Sequence, residues 1–246
     1  MSIQEYAMAH DLDRYLTAYG EGFGYAFDNN IILNWYPERI IRLCPASMRL
    51  LEFGIGHGYT TDRFSSHFAR HLVVDGSASV IRQFREQFPN CTTEIVEAYF
   101  EDFRTDERFD VMVFGFVLEH VDDPQTILRR YREFLVSGGR CFVAVPNGAS
   151  LHRRFGHAAG LLGDITSLGT GDLELGHQRL YTADSLTNEL VRAGYQIVRK
   201  EGIFLKPFTT AQLQTLRLDP VILRAMCEVG IHFPELSCAL LYEARV

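Results

Sequence analysis

The chain has 246 residues, 47% hydrophobic and 22% charged, enough apolar material for one core of domain size over 1–246. Its net charge of −7 includes no basic patch of the kind that grips nucleic acid, so a small-molecule partner is expected and nucleic acid is not. Five scattered cysteines (Cys44, Cys91, Cys141, Cys227, Cys238) lack metal-ligand spacing and read as reduced core residues of a cytoplasmic protein. The opening MSIQEYAMAHDLDRYL lacks the basic and apolar regions of a signal peptide, and no apolar run is long enough to span a membrane.

In chain order, residues 1–47 predict a helical cap with interleaved aromatics: Tyr6, Tyr15, Tyr19, Phe23, Tyr25, Phe27, Trp35 and Tyr36. Strand-length apolar runs then alternate with helical patterns. Strands are expected at Arg49–Phe53, His71–Asp75, Thr93–Glu97, Phe109–Phe114 and Arg140–Val145. Helices are expected at Tyr59–Phe68, Ser79–Gln87 and Pro124–Leu135. Short apolar strands separated by helices predict an α/β fold whose parallel sheet is covered on both faces. Residues 148–180, rich in glycine, break the alternation and read as an insertion. A helix at Ala183–Ala193, a strand at Gln196–Lys200, a helical stretch at Thr210–Val229 and a strand at Ser237–Ala244 complete the chain.

The segment "LLEFGIGHG" places Gly54, Gly56 and Gly58 directly after the first strand. A nicotinamide fingerprint, G-x-G-x-x-G, would require glycine at position 59, which is Tyr59. A phosphate loop would require a Gly-Lys-Ser/Thr ending, and the loop has no lysine. Glu52 just before the glycines would repel a pyrophosphate but attract a cationic amino group. Asp75 ends the second strand, where an acid can accept hydrogen bonds from both ribose hydroxyls. A ribose, a cationic head and no phosphate together describe S-adenosylmethionine.

At this point the chain resembles the class I S-adenosylmethionine-dependent methyltransferases. The likeness rests on "LLEFGIGHG", "VVDGS" (Val73–Ser77), "FDVMVFGFVLEHVDDP" (Phe109–Pro124) and "LVSGGRCFVAVPN" (Leu135–Asn147). It implies a doubly wound sheet of seven strands, the last antiparallel, with the cofactor along the carboxyl ends of the first strands. Glu52, Gly54, Gly56 and Gly58 would hold the methionine end, and Asp75 the ribose, with Gly76 and Ser77 beside it. Phe116 would lie at the cofactor. Tyr99 stands where the family often has an acid for the adenine amino group; the ring would rest on Phe100, with Glu101 or Asp102 supplying the acid. Ordinary core packing is the competing role for Phe100.

An acceptor hydroxyl needs a base, and histidine is the usual one near neutral pH. His120 follows the fourth strand; His152 and His177 lie in the insertion. His177 is the first choice, because "GHQRLYT" (Gly176–Thr182) sets it near Arg179 and Tyr181. Arginine there suits a polar or anionic acceptor. Tyr25 and Asn147 complete the expected acceptor site, and Tyr19, Tyr25 and Trp35 form an expected lid. Glu119-His120 is similar to the end of a Glu-x-x-Glu-His metal arrangement found in some methyltransferases of this class. Its first glutamate would fall at Phe116. One acid and one histidine leave such a site short of ligands, so no metal is expected.

The resulting expectation is methyl transfer to an O or N atom of a small polar molecule: a sugar, a surface-polysaccharide precursor or a natural-product intermediate. A homodimer is compatible with it. The alternative is a cofactor-binding, catalytically inactive partner subunit of a biosynthetic complex. A nicotinamide oxidoreductase is disfavoured by the glycine spacing.

Overall fold

Seven strands form a single sheet in the computed structural model, which describes Leu12 and residues 24–246. Tyr6, Tyr15, Tyr19 and Phe23 of the expected aromatic cap lie outside the described residues. The strands are β1 (Arg49–Phe53), β2 (Arg70–Asp75), β3 (Glu94–Glu97), β4 (Phe109–Gly115), β5 (Leu135–Pro146), β6 (Gln196–Ile203) and β7 (Ala239–Arg245). Their order is β3-β2-β1-β4-β5-β7-β6. The first five run parallel, and β7 is antiparallel to both of its neighbours. The order reverses between β1 and β4, and open α/β sheets bind ligands beyond the strand ends at such a point.

The central strands are near-continuous apolar runs because both sheet faces are covered. Successive residues alternate between two cores. Leu51 and Phe53 face α4 (Pro124–Tyr131) and α7 (Ala183–Arg192), packing with Tyr131, Leu186 and Leu190. Leu50, Val111, Val113 and Phe142 face α1 (Ala26–Leu43), packing with Trp35, Tyr36 and Ile40. Trp35 is therefore a core residue of α1 and not part of a lid. Helices α2 (Tyr59–Ser65) and α3 (Ala78–Gln87) follow β1 and β2.

Element boundaries differ from expectation where local chemistry overrides the apolar pattern. The helix expected to reach Leu135 ends at Tyr131, a short 3-10 turn follows, and β5 begins at Leu135 instead of Arg140. The stretch expected as one helix over Thr210–Val229 divides into α8 (Thr210–Thr215) and α9 (Pro220–Gly230). Arg217 sits at φ +46°, and the Asp219 carboxylate accepts from Val221 N at 2.8 Å, with Pro220 opening the new helix. This is the usual helix-start chemistry. The insertion after β5 carries α5 (Leu151–Ala158) and α6 (Thr170–Glu174). Arg153 donates to the carbonyls of Gly148 (3.1 Å) and Ile165 (2.8 Å), tying the insertion's loops to its base. No helix among the described residues is long and apolar enough to cross a membrane.

Candidate active site

A cavity of about 420 Å³ opens beyond the carboxyl ends of β1, β2 and β4. Its volume is that of a small-molecule site. Glu52, Gly54, Gly56, Gly58, Asp75, Gly76, Ser77, Phe100, Glu101 and Phe116, all expected at the cofactor, line it.

At one end, the loop after β1 is held by the acid that follows it. Asp75 Oδ2 accepts from Ile55 N and Oδ1 from Ser77 N, both at 2.8 Å. Each oxygen keeps a further lone pair for a ligand hydroxyl. Burial pushes the Asp75 carboxyl up, against the pull of these two N–H groups. Ser77 also caps α3, its Oγ accepting from Val80 N at 3.1 Å. Glu52 is 2% exposed and meets His71 Nε2 at 2.8 Å, while His71 Nδ1 lies 3.0 Å from Thr93 Oγ1. The sequence reading did not anticipate this buried relay, because His71 reads as one position in an apolar strand.

The glycines differ in what they permit. Gly56 has φ +54°, and a Cβ there would meet nothing within 4 Å: it would project into open space. Gly58 has φ +81°, and a Cβ there would stand 2.6 Å from Phe84 and 2.7 Å from Phe88. Gly58 thus provides the close helix packing that the nicotinamide fingerprint assigns one position later. Phe100 packs edge-on against Phe53 at 5.6 Å between ring centres and also borders the cavity, so its core role does not remove it from the cavity wall. Phe116 holds φ +59°, a strained value for a bulky residue, with its ring edge-on to Tyr36 at 5.6 Å.

The other end is built from α1, the loop after β4 and the insertion. Tyr25, Asp28, Glu119, His120, Asn147, His152, Asp172 and His177 line it. Glu119 is fully buried, neither of its oxygens has a hydrogen-bond partner, and burial pushes its carboxyl up to about 7. Burial, aided by neighbouring His177, holds His120 down at about 3. Burial, aided by Lys206, does the same to His152. The rings of His120 and His177 meet edge-on at 4.7 Å. Asp172, which the sequence reading missed, lies with Oδ1 3.6 Å from His177 Nδ1, its Oδ2 accepting from Gly169 N at 2.8 Å. Burial raises the Asp172 carboxyl, but His177 and this N–H outweigh it and hold it below its ordinary value. Asp172 also carries the only sequence signal for itself: an acid at the third position of a short helix.

Three expected acceptor contacts are corrected. Arg179 does not line the cavity: its guanidinium donates to the carbonyls of Leu118 (3.0 Å), Val121 and Asp122 (3.1 Å). It therefore makes no direct contact with an acceptor in the cavity. Tyr181 is 3% exposed in the core, with its hydroxyl 3.4 Å from the Leu118 carbonyl. Asn147 borders the cavity, but its side chain donates to the Ser237 carbonyl (2.8 Å) and the Pro234 carbonyl (3.1 Å) and accepts from Ala149 N (2.9 Å). It works as a latch after β5. The count of candidate donor groups is corrected too. Among the described residues, Glu119, His120 and His177 bring three donor atoms within 4.8 Å of one another.

A family model described as "Methyltransferase domain" matches residues 28–200. The chain is 27% identical over 171 residues to a Mycobacterium tuberculosis protein named "Probable S-adenosylmethionine-dependent methyltransferase", a match covering 69% of this chain and 56% of that one. It is 28% identical over 173 residues to the ubiquinone biosynthesis O-methyltransferase of Nitrobacter winogradskyi, covering 67% and 63% respectively. The match thus spans little more than half the length of these curated relatives. The crystal structure of N-methyltransferase NodS from Bradyrhizobium japonicum with S-adenosyl-L-homocysteine superposes with a TM-score of 0.58 at 15% identity, covering 95% of this chain and 97% of that one. At that identity it speaks for the fold alone. The family model spans most of the chain, and the seven-stranded order with antiparallel β7 agrees with it: the chain belongs to the methyltransferase-domain family, of class I architecture.

Proposed function

We propose that the chain transfers a methyl group from S-adenosylmethionine to an oxygen or nitrogen atom of a small polar molecule. A sugar, a surface-polysaccharide precursor and a natural-product intermediate are the acceptor classes in view. The observation that carries this reading is the grouping of Glu52, Gly56 and Asp75 around one cavity, with open space beside Gly56. In this reading Asp75 accepts from the ribose hydroxyls through the lone pairs its backbone donors leave. Glu52 faces the methionine ammonium, and Tyr99 and Phe100 border the adenine. Phe116 and Tyr36 offer ring faces to the sulfonium, a cation that aromatic rings attract.

The acceptor's lone pair attacks the methyl carbon in line as the carbon–sulfur bond breaks, and S-adenosylhomocysteine leaves. The donor is already activated, so positioning supplies much of the rate. The proton of an acceptor hydroxyl passes to the cluster at the far end, where His177 is the candidate base. His120 and His152 are the weaker candidates, since burial lowers the proton affinity of both rings. Calorimetric titration with S-adenosylmethionine, S-adenosylhomocysteine and NADH tests the cofactor half. The first two should bind and NADH should not; the reverse would overturn the reading. Transfer of labelled methyl to candidate acceptors then tests the chemistry.

A further inference from the structure

We propose that Glu119, His120 and His177 form a binding site for a divalent transition-metal cation of the zinc class. Each residue offers one donor atom, and the three lie within 4.8 Å of one another. Around an ion with bonds of about 2.1 Å, tetrahedral ligands stand about 3.4 Å apart, so modest side-chain rotation closes the site. The loop after β4 supplies two of the donors and the insertion the third.

Glu119 is the first independent sign of a ligand. It is fully buried at the cavity wall, and both its oxygens lack any hydrogen-bond partner. A buried carboxyl without partners is costly, and metal coordination is one of the few arrangements that satisfies both oxygens. The histidines supply the second. Metal-bound imidazoles almost always donate their other N–H to a carboxylate or a backbone carbonyl. Asp172 Oδ1 stands 3.6 Å from His177 Nδ1, a gap that a small ring rotation closes to a hydrogen bond, which would leave Nε2 for the cluster. The His120 ring meets the His177 ring edge-on at 4.7 Å, which sets both imidazoles at the cluster. Asp172 lies on the short helix α6 of the insertion, and the Gly169 N–H holds it in place.

The donor set decides the class of ion. Two imidazole nitrogens and one carboxylate suit zinc, manganese, cobalt or nickel, whereas magnesium and calcium prefer all-oxygen sites. Three protein ligands leave coordination positions open towards the cavity. With an ion bound, His177 would serve as ligand instead of base, and the ion would lower the pKa of a coordinated acceptor hydroxyl, whose proton would pass to solvent. The binding itself requires no acceptor and is tested without one.

The full chain, stripped with chelator, is titrated with Co²⁺ while its visible absorption is followed; Zn²⁺ is then added in competition. One equivalent of Co²⁺ should give a ligand-field band that Zn²⁺ abolishes. Glu119→Gln and His177→Ala should each weaken binding more than about tenfold, and Asp172→Asn, which keeps all three ligands, by about 10- to 100-fold. Should the first two variants fail to fold, Asp172→Asn carries the test, with S-adenosylhomocysteine affinity as its folding control. Absence of stoichiometric Co²⁺ binding to wild type overturns the proposal. So does binding that none of the variants alters, since the chain has seven other histidines. Failure of S-adenosylhomocysteine to bind a wild type that still takes up Co²⁺ would overturn the cofactor reading and leave the metal site standing.

Discussion

The two ends of the cavity are built in opposite ways. The polar part of the end around the glycine loop comes from one continuous stretch, Glu52 to Ser77, and its two acids already have partners. Both Asp75 oxygens accept backbone N–H groups, and Glu52 is paired with His71. The far end gathers α1, the loop after β4 and the insertion. It leaves Asp28 Oδ1, both Glu119 oxygens and His177 Nδ1 buried without hydrogen-bond partners. Buried polar groups left unsatisfied cost about 1–3 kcal/mol each. The acids at one end are thus partnered within the protein, while those at the other present buried, unpartnered oxygens to the cavity.

Substitutions can break this comparison. The largest effect is expected from Gly56→Val, since a branched side chain at φ +54° would fill the open space of the cavity. Binding of S-adenosylmethionine and of S-adenosylhomocysteine should be abolished; calorimetry showing normal affinity would remove the loop from the cofactor site. Asp75→Ala should weaken cofactor binding about ten- to a hundredfold, from the loss of roughly 1.5–3 kcal/mol of charged hydrogen bonding. Unchanged affinity in a folded variant would sink the ribose assignment.

Gly58→Ala should act through packing instead. Its Cβ would stand 2.6 Å from Phe84, and overpacking of this kind costs about 1–3 kcal/mol of stability. Denaturant unfolding should register the loss, and an unaltered midpoint would mean α3 shifts freely. The smallest effect should come from Arg179→Met. Losing its bonds to the Leu118 and Asp122 carbonyls should cost about 1–2 kcal/mol, a few degrees in Tm. Affinity for cofactor and for small anions should stay at the wild-type value. A selective loss of anion binding would restore Arg179 to the acceptor site.

Seven strands with the last antiparallel were implied by the family resemblance of motifs spread along the chain, and the glycine loop with its two acids could be read directly from the sequence. These residues are neighbours in sequence or at neighbouring strand tips, and a parallel sheet brings such tips together whatever else the chain does. The split at Asp219-Pro220 was also written locally, although the apolar pattern ran through it.

The acceptor end was decided by tertiary structure. "GHQRLYT" places histidine, arginine and tyrosine close together in sequence, yet only His177 reaches the cavity. Arg179 turns to the carbonyls of the loop after β4, and Tyr181 enters the core. Which way each side chain points depends on where the insertion lies against that loop, through Gln178 N bonded to the Glu119 carbonyl at 2.8 Å. The same contact brings His177 beside Glu119 and His120, residues far away in the chain. Sequence supplied the donor types; their meeting came from packing, because no local rule of spacing links a strand end to a loop that returns to it from across the sheet.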